Sequence, residues 1–352
     1  MLQSHIKLAF LGFLLLLFSC GAPQKAQKSA KSNQCKHSEY LRIYRIQNGF
    51  KIEIIDPDFG GRQHVFHFYK PFQRIAALSA THVGMLCAIN QQQKLSAISA
   101  AKYVHDPKVK ALIKAGKIED LNAEQGFSAD KFLKNGTQIV VYSGFGNEYK
   151  QLQRLKGSSV WQIPNYEWRE KTPLARAEWV LLFGVMSGHF EKAQAFFSAV
   201  EQKYSSLQRS IQQKNRSNQL PVLISGNLYG DQWIAPAGQS FEAQLYKDAG
   251  MAYLFANEKG TGSVFKSLPE ILKRGSIVTL WLNPGQPSRK ALQRQFPKAT
   301  FFPFFNKTVY CYTAQTNKYW EQTAVHPDWL LSDLSQIATG KPKKLHFYAL
   351  VK

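Results

Sequence analysis

The sequence predicts an α/β protein of two parallel-sheet lobes joined by one long helix, with a small β extension ahead of the first lobe. Three patterns carry that expectation. From Arg74 onward, apolar runs of four to eight residues alternate with helical stretches. A helical region then starts at Thr172-Pro173 and continues to about residue 215, and the strand-and-helix alternation restarts at Leu220. Short apolar runs separated by helices imply strands buried on both faces, which is the signature of a parallel sheet.

Residues 1–19 read as a secretory signal: Lys7 supplies the positive start, and Leu8 to Phe18 form an apolar run too short to span a bilayer. The run ends in Leu17-Phe18-Ser19-Cys20, which resembles the bacterial lipobox, so Cys20 is expected to carry a diacylglycerol and anchor the chain. Residues 20–35 are rich in Lys, Ser, Gln and Ala and hold too little apolar surface to offset their ordering entropy; they read as a flexible tether.

The segment 36–72 reads as the β extension. Alternating stretches 41–46 and 50–55 flank Gln47-Asn48-Gly49, a strong hairpin signal, and 64–70 adds a third strand. The first lobe, 73–172, takes strands at 74–79, 94–99, 137–144 and 160–164, with helices at VGMLCAI and EYKQLQRL. In the connecting region 173–215, Leu174, Ala177, Leu181, Ala193, Phe197, Val200, Tyr204, Leu207 and Ile211 recur near helical spacing, with bends expected at Gly184 and Gly188. The second lobe, 216–352, takes strands at 220–226, 277–285, 300–305 and 308–313, a helix around FEAQLYKDAG and a last helix from Pro327 to Ala338.

The chain holds 45 Lys and Arg against 23 Asp and Glu, a formal charge of +22. The basic residues are scattered and no nucleic-acid motif accompanies them, so no nucleic-acid partner is expected, and anionic lipid, glycan or solute accounts better for the charge. Beyond Cys20, the cysteines are Cys35, Cys87 and Cys311, an odd number without a metal-binding spacing. Cys87 reads as a small core residue, and a Cys35–Cys311 disulfide is left open. No nucleophile elbow, phosphate loop or metalloprotease motif is present, and Glu167 with Glu170 lacks a second feature that glycosidase chemistry would need. Neither enzymatic activity nor a cofactor is expected.

Ligands of open α/β sheets bind at the C-terminal ends of the strands. Those ends carry Ser79, Thr81 and His82; Phe145 and Asn147; and Asn165, Tyr166, Glu167 and Trp168. The second lobe offers Asn227, Tyr229 and Trp233, then Trp281 and Asn283, and later Tyr319 and Trp320. Aromatic walls with a few polar groups suit a large, flat, partly apolar solute, although each of these aromatics also has the simpler reading of a core residue. Two rival readings are a bare-metal site drawing on His82, Glu167 and His326, and a surface lipoprotein that binds glycans or a partner protein without transport.

Four stretches, RIAALSATHVGMLCAI, IPNYEWREKTPLARAEW, SGNLYGDQWIAPAG and NKYWEQTAVHPDWLLSDL, resemble the lipoprotein branch of the iron-siderophore and cobalamin binding proteins of ABC importers. The resemblance covers about residues 73–338. It departs at Lys134-Asn135-Gly136-Thr137, where the family carries a Leu-Lys-Pro-Asp run. It implies the class III periplasmic binding protein fold, with an iron chelate (siderophore or heme) or cobalamin held between lobes that move little. It also implies a permease with its ATPase as partners, and a cell-envelope location. Glu148 falls where the family's first lobe docks on its permease, whereas the comparable second-lobe loop has Gln286, Ser288, Arg289 and Lys290 and no carboxylate. Cys20→Ser is expected to release the protein from membranes or leave it unprocessed in fractionation; a processed, fully membrane-bound variant would contradict the anchor.

Overall fold

In the computed structural model, residues 32–352 are described except 59, 100, 123–127, 129, 145–150, 215–219 and 313–317. The first strands follow the alternating pattern closely: β1 (Leu41–Ile46), β2 (Gly49–Ile55) and β3 (Gln63–Phe68) form an antiparallel sheet in that order. The loop between β1 and β2 is Gln47-Asn48, with Asn48 at a positive φ of 62°, while Gly49 pairs with Ile46 and opens β2. The inward residues Leu41, Ile43, Ile52 and Ile54 are fully buried and belong to the same core as the first lobe. The extension is therefore a wall of that lobe and not an appendage.

The first lobe is built on β4 (Ile75–Ala77), β5 (Leu95–Ile98), β6 (Glu119–Asp120), β7 (Ile139–Tyr142) and β8 (Trp161–Pro164), all parallel in the order β6-β5-β4-β7-β8. Successive residues feed two cores: Ile75 and Ala77 face one, Ala76 and Leu78 the other. That explains why its strands read as continuous apolar runs.

The second lobe carries β9 (Val222–Ser225), β10 (Asn227–Tyr229), β11 (Gln232–Pro236), β12 (Ala252–Tyr253), β13 (Ser263–Ser267), β14 (Leu280–Leu282), β15 (Thr308–Tyr312) and β16 (Tyr348–Leu350). Its main sheet runs β12-β9-β14-β15-β16, parallel except for β16 at the edge. A separate antiparallel layer, β10-β11-β13, occupies what the sequence presents only as a polar aromatic stretch. The strand expected at 300–305 does not form. Pro297–Phe301 is a 3-10 turn, and Pro303, which has no N–H to donate to a ladder, separates Phe302 and Phe304 as they stack into the core.

The connection between lobes is broken where glycine and a tight turn interrupt it. Helices Pro173–Glu178 and Val180–Ser187 precede the connecting helix Phe190–Lys214, whose 25 residues span about 37 Å. Gly188 caps the second helix with a left-handed φ of 76°. The chain also returns to the first lobe near its end. The helix Tyr319–Gln322 lies against helix Ala80–Ala88, and the Glu321 carboxylate accepts the amides of His105 and Asp106 at 2.6 and 3.0 Å. Lys318 pairs with Asp106 at 3.1 Å, and Ala324 and Val325 enter the first lobe's core. The lobes are thus joined by more than the single long helix expected.

Cys35 and Cys311 are both free, and they belong to the cores of opposite lobes, so they form no disulfide. Cys87 is only half-buried and packs at the edge of the first core.

The seam between Gly84 and the returning helix leaves no room for a side chain: a Cβ on Gly84 would lie 1.6 Å from the Glu321 carbonyl oxygen. Gly84→Ala is expected to lower stability by at least about 2 kcal/mol in denaturant unfolding. A variant as stable as the parent would show that the returning segment is not packed there.

Candidate functional site

A pocket of about 370 Å³ lies where the two lobes meet. The first lobe and its first connecting helix supply Trp168 and Arg176. The second lobe supplies Ile234 to Pro236 from β11, Phe241, Glu242, Leu245 and Tyr246 from one helix, and Thr261 to Ser263 beside β13. Tyr319, Trp320 and Thr323 come from the returning segment, and Leu330 and Tyr348 complete the wall.

Each lining group is fixed by its neighbours. Trp168 donates its indole N–H to the Ser143 carbonyl at 2.9 Å and carries the Arg169 guanidinium 5.2 Å from its ring. Thr172 caps the helix that bears Arg176, accepting the Ala175 amide at 3.1 Å. Arg176 is almost fully buried; its Nε meets Glu167 Oε2 at 2.5 Å, and its guanidinium sits 4.3 Å from the Phe241 ring. Ser240 caps the helix Phe241–Asp248, which sets Phe241 and Glu242 in the first turn, facing Arg176 across the junction. Burial pushes the Glu242 carboxyl upward from its ordinary value, and the nearby Arg176 opposes that shift. Tyr319 stacks on Tyr312 at 4.0 Å, with Trp320 set edge-on to both. Burial raises the phenols of Tyr246, Tyr319 and Tyr348, and the hydroxyls are engaged within the protein: Tyr246 donates to Ser225 Oγ at 3.0 Å, and Tyr348 bonds Asn283 and Tyr319.

Of the residues expected from strand ends, Trp168 and Trp320 line this pocket, and Glu167 stands behind it as the partner of Arg176. The others lie elsewhere. Tyr166 is buried in the first core and donates its hydroxyl to Asp56 at 2.7 Å, tying the lobe to the β extension. Trp233 and Trp281 are fully buried, donating to the carbonyls of Ser225 and Gly226, and they box with Phe302 and Phe304. Both indoles bond carbonyls at the end of β9, but their rings are enclosed in the second lobe's core and do not line the pocket. Tyr229 is 77% exposed at the tip of the β10–β11 hairpin. Ser79 caps helix Ala80–Ala88 and bonds Thr81 Oγ1 at 2.9 Å. Asn165 is buried and accepts the Glu167 amide at 2.9 Å. Asn227 lies against Gly285, and Asn283 turns with a positive φ of 59° and reaches Tyr348. Phe145, Asn147, Glu148 and Cys20 lie outside the described residues.

Glu167 and Glu170 are not a solvated carboxylate pair. Glu170 accepts Ser38 Oγ, the Glu39 amide at 3.0 Å and the Trp179 indole at 2.8 Å, so both acids are structural. His326 stacks on Trp329 at 3.7 Å ahead of the last helix. Among the described residues, no three His, Cys, Asp or Glu side chains converge as a metal site. The second-lobe loop is likewise occupied locally: Ser288 caps a helix, and Arg289 donates to the carbonyls of Phe305 and Lys307.

No family model matches the sequence. An uncharacterized lipoprotein of Methanocaldococcus jannaschii is 23% identical over 297 residues, covering 79% of this chain and 68% of that relative. Among solved structures, a periplasmic heme binding protein from Pseudomonas aeruginosa is similar with a TM-score of 0.61 at 16% identity, covering 80% of this chain and 98% of that one. The vitamin B12 binding protein BtuF of Vibrio cholerae gives a TM-score of 0.52 at 17% identity over 76% of this chain and 96% of its own. The chain therefore has the two-lobed fold of the periplasmic binding proteins, as the sequence resemblance implies.

His82 is a core residue of the first lobe. It packs beside Phe183, and neither ring nitrogen makes a well-formed hydrogen bond. Burial lowers its pKa from 6.5 to about 4, with Glu167 and the Val141 backbone opposing. A depressed base destabilises the fold as pH falls, because the unfolded chain takes up the proton first. Stability is expected to drop by roughly 3 kcal/mol more in the parent than in His82→Leu between pH 6.5 and 4. Unfolding curves of the two proteins that stay parallel across that range would contradict it.

Proposed function

We propose that this chain is the lipid-anchored solute-binding component of an ABC importer, capturing an iron chelate or a corrinoid between its lobes and delivering it to a permease. The observation that carries the reading is the pocket at the lobe junction. Its aromatic walls come from both sides, Trp168 from one lobe and Phe241 and Tyr246 from the other, with Tyr319 and Trp320 closing it. Aromatic side chains give large contact area at low entropy cost, which suits a flat or multi-ring solute. The solved structures with the same fold support this direction, since they are a heme binding protein and a vitamin B12 binding protein. They are binding proteins, which also favours capture over catalysis. In this reading Cys20 holds the protein at the cell envelope, and Glu148 is one docking point for the permease.

Two links between lobes, the long helix and the returning segment, favour a carrier that hinges little on loading. Titration of the purified protein with heme, ferric hydroxamates and cobalamin, followed by visible absorbance, is expected to show saturable binding of one of them. Trp168→Ala and Trp320→Ala are each expected to weaken that binding by about 1–3 kcal/mol with little change in melting temperature. If none of these solutes binds, the carrier reading fails and a glycan-binding lipoprotein takes its place.

A further inference from the structure

The charges at the lobe junction do not balance. Arg176 is the sole basic residue among those lining the pocket, and Glu167 already holds its Nε at 2.5 Å while Phe241 covers the guanidinium at 4.3 Å. Glu242 lines the same pocket, and among the described residues no lysine, arginine or histidine forms an ion pair with it. Its position in the first turn of helix Phe241–Asp248 gives the carboxylate the favourable end of the helix dipole. The remaining polar lining, Thr261, Ser263 and Thr323, is neutral. The chain as a whole carries +22, yet the one guanidinium of this pocket is taken up by Glu167 behind it, which leaves Glu242 as the lining charge without an ion pair of its own. Surface charge is screened within about 8–10 Å, so a buried site is governed by the groups that line it.

An anionic solute would find no uncompensated positive charge here and would meet Glu242. A cationic group would complete the set, because a desolvated carboxylate gains most from a charge-assisted donor. Resting on the carrier reading above, we propose that Glu242 is the specificity-determining contact of this pocket and that it selects a solute bearing an ammonium group over one bearing carboxylates.

The test uses ferrioxamine B, a ferric hydroxamate with a free ammonium arm, and its N-acetyl derivative, in which an acetamide replaces the ammonium and the charge is lost. Heme, a dicarboxylate, and cyanocobalamin are titrated alongside, with tryptophan fluorescence as the readout. Ferrioxamine B is expected to bind at least about tenfold more tightly than the acetylated chelate. Glu242→Gln should erase that preference, bringing the two affinities to within about twofold of each other. Its melting temperature is measured beside it, and Glu242→Ala serves as a second variant should the first be unstable. Equal affinities in the parent, or a preference that survives in Glu242→Gln, overturns the proposal and leaves the carrier reading standing. Binding of heme or cobalamin without ferrioxamine B does the same. Failure of all four probes overturns both.

Discussion

Buried carboxylates that accept backbone amides hold this fold together. Glu170, Glu178 and Asp333 are completely inaccessible and Glu321 is 2% exposed. Each would be costly to bury alone, and each is answered by N–H groups from another segment of the chain. Glu178 takes the amides of Lys36, His37 and Ser38, and Glu170 takes Glu39, so the entry to the β extension is fixed by acids about 130 to 140 residues away. Asp333 takes the amides of His346 and Phe347 and so positions the edge strand β16. Glu321 performs the same task between lobes. Charge-assisted bonds of this kind are directional, which lets a few side chains set the relative placement of whole segments.

The pocket inherits its geometry from those clamps. Tyr319 and Trp320 precede Glu321 directly, and Tyr348 follows the amides held by Asp333, so three of its aromatic walls are placed by carboxylates outside the pocket. Arg176 and Glu167 add a buried ion pair at its back. Such a pair contributes little net stability once desolvation is counted, but it fixes the orientation of the guanidinium against Phe241. The cluster of Trp233, Trp281, Phe302 and Phe304 serves the second lobe's core and takes no part in lining the pocket.

Strand positions were legible wherever a binary pattern stood between clear turn signals. The alternation of residues 41–46 and the fully apolar run at Ile139–Tyr142 both translate directly into strands. The run at 300–305 misled because apolar content alone does not reveal whether a ladder partner exists, and Pro303 weakens the case for one. The site was less legible. Trp168 and Trp320 follow from the rule about strand ends and from aromatic density, but Trp233 and Trp281 satisfy the same rule while being buried in the second lobe's core. Arg176 and Glu242 look like ordinary helix residues in the sequence. Their meeting depends on how two lobes dock, and no local pattern encodes that.

The return of residues 318–325 to the first lobe has a consequence for how the molecule is made. The bonds from Glu321 to His105 and Asp106 close loops of more than two hundred residues, and Ala324 and Val325 fill a core whose other members lie before residue 198. A ribosome releases the first lobe's sequence long before it supplies these pieces. That lobe therefore cannot reach its final packing as an independent unit during synthesis, and its apolar surface near Gly84 stays open until almost the whole chain has emerged. Assembly is gated by the last part of the polypeptide, and a fragment cut between the lobes would lack a piece of its own interior.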